Sequence, residues 1–169
     1  MHRMPLIAHV AGVGLGATAV MDLWLILLSR LGLPSSGFGL VGRWVGHFAQ
    51  GRFVHAGIAR SQPLRHEQAL GWMTHYAVGL VYAALLAAVV GEGWFSQPTL
   101  IPAVAFGALT VVAPWFVMQP AMGAGFMASR TPDPLKNALR SLANHTVFGI
   151  GLYLAAAALD SITPLEITP

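Results

Sequence analysis

Long apolar runs alternate with short polar connections along the chain. Four runs reach the roughly 20 residues that a helix needs to cross a hydrocarbon core about 30 Å thick. They cover residues 6–28, where Asp22 is the one charged side chain, and residues 69–90, 99–119 and 141–159, which carry none. The pattern predicts an all-α integral membrane protein, with four transmembrane helices forming a single bundle over residues 1–169. The two halves share neither charge spacing nor motif order, so no repeat or second domain is expected. The first run is longer than the 7–15 residues of a secretory signal's apolar region, and no polar mature domain follows it, so it is read as retained.

The connections add detail. Residues 34–66 are too apolar for a solvated loop. Phe38, Val41, Val45 and Phe48 recur at helical spacing, with Arg43, His47 and Gln50 off that stripe, which predicts a short interfacial helical segment between the first two spans. Thr131-Pro132-Asp133-Pro134 reads as a turn followed by a helix start, with Asp133 as N-cap and Pro134 in the first turn. The fourth helix is therefore expected to begin there.

Composition agrees with this picture. Hydrophobic residues make up 56% of the chain and charged ones 9%, against about 25% charged in an ordinary soluble domain. With no cysteine, disulfides, thiolate metal sites, iron–sulfur clusters and cysteine nucleophiles are excluded. A net charge of +3 is not a nucleic-acid footprint, because the basic residues follow topology instead of clustering on one groove. Arg30, Arg43, Arg52, Arg60 and Arg65 lie in the first connection and Arg130, Lys136 and Arg140 in the third. Arg3 alone lies on the other side, together with Glu92, Asp160 and Glu166. The positive-inside rule then predicts a multi-pass inner-membrane protein with both termini periplasmic and connections one and three cytoplasmic.

In lipid, helices pack through small residues and interhelical hydrogen bonds, so small and polar positions mark the inner faces. The stripes are Ala11, Gly14, Thr18, Asp22 and Ser29; Gly71, His75, Gly79 and Tyr82; Ala103, Gly107, Thr110, Pro114 and Met118; and Ser141, His145, Gly149 and Leu152. Gly12 and Gly16, and Gly42 and Gly46, also form two G-x-x-x-G pairs, which would suit a homodimer contact. Depth along each span brings Asp22, His75, His145, Met118 and Gln119 to one layer, the cytoplasmic third of the bundle.

An ionisable group at that depth is a functional-site candidate. The leading expectation is a metal ion or haem held in this layer through His75 and His145, with Asp22 as a third ligand or as their hydrogen-bond partner, and a redox role. Two imidazoles and a carboxylate suit zinc or non-haem iron, and two imidazoles across a bundle suit haem b. His47 and His55 become additional ligands if the surface segment folds back over the bundle. Asp22 as a plain hydrogen-bonding clamp between helices competes with this reading. A proton-coupled transporter using Asp22 is a further alternative, and so is an accessory subunit of a larger membrane complex. Membrane lipids are the partners expected at Arg43, Arg52, Arg60 and Arg65. The methionines Met118, Met122 and Met127 are read as packing residues, since neither cysteine nor a tight methionine cluster accompanies them. No nucleophile-elbow, Walker, dinucleotide-fingerprint or H-E-x-x-H motif is present, so hydrolase, nucleotide-binding and zincin chemistries have no support.

Several segments together carry a resemblance: Ala17-Thr18-Ala19-Val20-Met21-Asp22-Leu23-Trp24, Gly39-Leu40-Val41-Gly42-Arg43-Trp44, His75-Tyr76, Phe116-Val117-Met118-Gln119-Pro120, Ala128-Ser129-Arg130-Thr131-Pro132 and Asn144-His145. On these the chain resembles a bacterial family of small membrane proteins catalogued as a domain of unknown function, over nearly its whole length. The resemblance implies a bacterial inner-membrane protein of four helices. It carries no catalytic residue over.

Overall fold

The structure is a computed structural model that describes residues 5–33 and 37–162. Arg3 and Glu166, used in the orientation argument, lie outside the described residues, as do residues 34–36 of the first connection. In chain order the α-helices are α1 (Leu6–Arg30), α2 (Phe38–Gly46), α3 (Glu67–Val90), α4 (Gly93–Ser96), α5 (Leu100–Leu109), α6 (Gln119–Ala121) and α7 (Pro134–Ile162). Four helical stretches are long and apolar enough to cross a membrane: α1, α3, residues Leu100–Ala121 and α7. The arrangement is all-α, with no strand among the described residues.

Burial is inverted relative to a soluble protein. Large apolar side chains such as Ile7, Leu23, Met73, Val89, Ile101 and Leu109 face outward and are more than half exposed, as expected where the surroundings are lipid. The interior is built from small residues. Gly14 of α1 lies against Leu80 and Ala83 of α3, Gly16 against Ala155 of α7, and Gly107 of α5 directly against Gly149 of α7. Gly12 faces Leu159, so both members of the first G-x-x-x-G pair serve packing within the chain. Val13, Ala17, Leu86, Phe95, Leu152 and Ala156 form the apolar core at the end away from most of the arginines. The opposite end, which carries Arg43, Arg130 and Arg140, is here called the basic end.

Packing runs in the order α3, α1, α7, α5, while α3 and α5 scarcely touch. This leaves a slot between α3 and the third span. The third span is also broken where the sequence inserts a proline. Pro114 has no N–H to give the Thr110 carbonyl, so the regular helix stops at Leu109 and a wide π turn occupies Pro114–Met118. The Thr110 carbonyl accepts the Ala113 N–H at 3.1 Å and the Tyr82 hydroxyl at 3.5 Å instead.

The first connection is helical where the pattern placed a helix, but it buries the other face. Gly42, Arg43 and, just beyond the helix, His47 are buried, while Phe38, Val41, Val45 and Phe48 are half-buried. The glycines decide this. Gly42 sits on the Glu67 carbonyl and on Gly71, Gly46 on Leu64 and Leu70, and Phe38 on Gly71 and His75. α2 therefore runs antiparallel along α3 toward the basic end. The second G-x-x-x-G pair, like the first, is spent within the chain. The chain beyond α2 also closes onto the third span, with His55 N–H on the Ala121 carbonyl at 2.8 Å and Ile58 N–H on the Met122 carbonyl at 2.9 Å.

α7 begins at Pro134, as the Asp133-Pro134 signal predicts, with the Asn137 N–H on the Asp133 carbonyl at 3.0 Å. It continues for 29 residues.

Candidate functional site

Asp22 lies on the inner face of α1 and its carboxylate is occupied by two donors from α3. His75 Nε2 is 2.9 Å from Oδ1 and the Tyr76 hydroxyl 2.8 Å from Oδ2. Both the Asp22 and His75 side chains are about 12% exposed. Where the Asp22 carboxylate is ionised it only accepts, which puts the His75 proton on Nε2 and the lone pair on Nδ1. Phe38 of α2 stacks on the imidazole, with ring centres 4.2 Å apart and planes inclined by 28°. The ring is thereby held by a carboxylate at its edge and an aromatic on its face.

His145 is oriented by a different device. Its Nδ1 is 2.7 Å from Thr110 Oγ1, and that hydroxyl lies 2.6 Å from the Gly107 carbonyl. A carbonyl cannot donate, so the single hydroxyl proton goes to Gly107 and Nδ1 must carry the proton shared with Thr110. Nε2 is then the unprotonated nitrogen. Each histidine thus has an assigned tautomer and leaves one sp² nitrogen with no hydrogen bond among the described residues.

The two imidazoles line one cavity of about 350 Å³ that is otherwise almost wholly apolar, its walls including Met21, Phe38, Val78, Tyr82, Val117 and Phe148. It occupies the slot between α3 and the broken third span, with α1 and α7 behind it and α2 across the basic end. Val78 and Val117 belong both to the lining and to the outward surface, at 40% and 61% exposure. The cavity therefore opens sideways, toward the lipid-facing side.

Asp22, His75 and His145 come to one layer, as depth arithmetic along the helices predicts. Among the described residues, however, no group of three or more histidine or carboxylate side chains is placed to hold a metal ion. Both Asp22 oxygens are engaged as above. Met118 lines the cavity, and Gln119 lies beside it with its Nε2 on the Ser141 hydroxyl at 3.2 Å. His47 and His55 are buried outside this cavity and pair with each other, Nδ1 to Nε2 at 2.8 Å with rings stacked at 5.0 Å. Burial, then the charges of His47 and Arg52, push the His55 pKa below its ordinary value.

Arg43 spends its guanidinium within the chain. Its guanidinium meets Glu67 in a two-point pair, Nε to Oε2 and Nη2 to Oε1, both 2.8 Å, and Nη1 donates to the carbonyls of Ala59 and Ser61 at 3.2 and 3.1 Å. The Glu67 hydrogen bond holds the guanidinium pKa above its usual value. Tyr76 and Thr110 are the partners that the sequence left without a role. Tyr76 follows His75 by one position, so helical periodicity turns it about 100° away. Only the approach of α1 places one carboxylate between the two.

Fold and site together define a multi-pass α-helical membrane protein with an intramembrane cavity. A family model described as "Protein of unknown function (DUF2938)" matches residues 11–159, and the chain belongs to that family. No curated protein and no solved structure matches it.

Proposed function

We propose that the protein takes an amphipathic small molecule from the bilayer into the cavity between α3 and the third span, and that His75 and His145 accept hydrogen bonds from its polar part. One observation carries this reading: two imidazoles of assigned tautomer, each with an unspent nitrogen, line an apolar cavity that opens sideways between helices. About 350 Å³ falls at the lower end of the range usual for small-molecule sites, roughly 300–1,000 Å³, which combine apolar walls with a few placed polar groups. Orientation follows the basic residues, which puts the basic end on the cytoplasmic side of a bacterial inner membrane.

The test is organic extraction and mass spectrometry of protein purified in mild detergent. A molecule of about one-to-one stoichiometry should accompany the wild type and be lost from Val117→Trp, which narrows the mouth and leaves both histidines in the sequence. Equal recovery from both proteins would overturn the reading.

A second reading is favoured by the same two nitrogens. His75 Nδ1 and His145 Nε2 could ligate haem b or a metal ion, with Asp22 orienting His75 from behind, as carboxylates do for ligating histidines. Elemental analysis and the visible spectrum of protein purified without an affinity metal test it. Stoichiometric iron or zinc, lost in His145→Ala, would support it, and a metal-free, colourless protein would overturn it.

A further inference from the structure

A second cavity of about 460 Å³ adjoins the first toward the basic end. Met21, Phe38, Val41, Pro114, Met118 and His145 line both, so the two chambers lie side by side and share a wall that includes His145. Their chemistry differs sharply. The second chamber is lined by Gln119, Thr131, Asn137, Arg140, Ser141 and Asn144, and among the described residues no carboxylate belongs to its walls.

Hydrogen-bond accounting shows which of these groups remain available. The Trp24 indole N–H, which can only donate, lies 3.0 Å from Asn144 Oδ1. That settles the orientation of the amide and leaves both Nδ2 protons free. Ser141 Oγ accepts from Gln119 Nε2, so its own proton is unspent. Arg140 is half-buried and makes no hydrogen bond or ion pair among the described residues. Arg43, at the same end of the bundle, is fully matched by Glu67 and backbone carbonyls. Three unspent donors, one of them cationic, therefore occupy one turn of α7 at positions 140, 141 and 144. A half-buried guanidinium without a counter-charge is costly, and its planar array of donors matches a phosphate.

We infer that the occupant is an anionic amphiphile whose phosphate headgroup is bound by Arg140, Ser141 and Asn144 in the polar chamber, while its chain passes His145 into the apolar one. This rests on the reading that the first cavity takes an amphipathic molecule from the bilayer. Gln119 Oε1, buried and without a donor, is an acceptor for a hydroxyl on the same headgroup.

The experiment compares three probes on the full chain in dodecyl maltoside micelles, with occupancy read by native mass spectrometry. The probes are dodecyl phosphate, dodecanol and inorganic phosphate. The wild type should bind dodecyl phosphate at least about tenfold more tightly than dodecanol, a gain of about 1.4 kcal/mol or more, and inorganic phosphate far more weakly. Arg140→Gln should abolish the preference while leaving dodecanol binding intact, which also reports that the variant is folded. Arg140→Lys should keep part of it, and Lys136→Gln, on the exposed side of α7, all of it. Equal binding of dodecyl phosphate and dodecanol by the wild type would overturn the headgroup site but leave the amphiphile reading standing. Failure of both alkyl probes would overturn the two together. Inorganic phosphate binding as tightly as dodecyl phosphate would overturn the lipid and leave a soluble anion as the ligand.

Discussion

Asp22 and His75 are joined across α1 and α3 by a hydrogen bond of 2.9 Å between Oδ1 and Nε2, and the same carboxylate receives the Tyr76 hydroxyl through its other oxygen. Removing the acceptor strands two donors inside the bundle. Asp22→Ala should cost about 2–4 kcal/mol, the sum of two hydrogen bonds to a charged group reduced by local relaxation. Asp22→Asn should cost less, because the amide oxygen can still accept from His75 and its NH₂ can donate to the tyrosine oxygen. Thermal unfolding in detergent should rank wild type above Asp22→Asn above Asp22→Ala, and equal midpoints for the two variants would contradict the arrangement.

Arg43 should be the arginine whose loss matters most to the basic end. It ties α2 to α3 and to the turn at residues 58–61. Arg43→Ala is expected to lower the unfolding midpoint and open the segment after α2 to limited proteolysis. Arg43→Lys should recover only part of the loss, since an ammonium cannot reproduce the two-point pair. Arg65→Ala, which removes an exposed side chain, is expected to leave both measurements near wild type.

Acidification should loosen the same region. The His55 pKa is lowered in the folded protein, so below about pH 6.5 the unfolded chain takes up a proton that the folded one refuses. The stability contributed by neutral His55 is fully present above that pH and is lost as the pH falls toward the folded-state pKa. Protonation also places a cation against stacked His47 and near Arg52. The unfolding midpoint should fall between pH 7.5 and pH 5, and His55→Gln should fall less over the same interval. An identical acid response in the two proteins would rule out this origin.

Close helix contact supplies a fourth expectation. A Cβ on Gly107 would meet the Gly149 backbone, whereas one on Gly93 would meet nothing within 4 Å. Gly107→Ala should therefore destabilise the α5–α7 contact by about 1–3 kcal/mol, as overpacking does, and Gly93→Ala should be near neutral. Chemical denaturation in detergent with helicity as the readout distinguishes the pair.

Much of the frame is legible without coordinates. Transmembrane helices satisfy their own backbone hydrogen bonds and need only length and apolarity, so the four long helices and the start of α7 at Pro134 follow from local pattern. The inner positions Gly14, Thr18, Asp22, His75, Gly107 and Gly149 follow from helical periodicity and the need of lipid-embedded helices for small contacts. Prolines and glycines were less transparent. The pattern puts Pro114 on the inner stripe of one continuous third span, whereas the structure breaks the helix there and leaves a slot. The two G-x-x-x-G pairs read as candidate contacts between chains, and both are consumed within one.

Tertiary structure alone decided what the polar groups do, because a side chain's role depends on which neighbour arrives and that neighbour is distant in sequence. The pairing of Arg43 with Glu67, of Trp24 with Asn144 and of His145 with Thr110 spans 24, 120 and 35 positions. Each pairing spends one hydrogen-bonding capacity and leaves another open, which no periodicity encodes. The amphipathic stripe of residues 38–48 likewise gave way to Gly42 and Gly46, since backbone contact with α3 requires the glycine face to turn inward. Sequence thus determined a four-helix membrane protein with Asp22, His75 and His145 at one depth, by rules that act within each helix. Packing between helices determined that the histidines face a shared apolar cavity and that Arg140, in the neighbouring chamber, has no partner among the described residues.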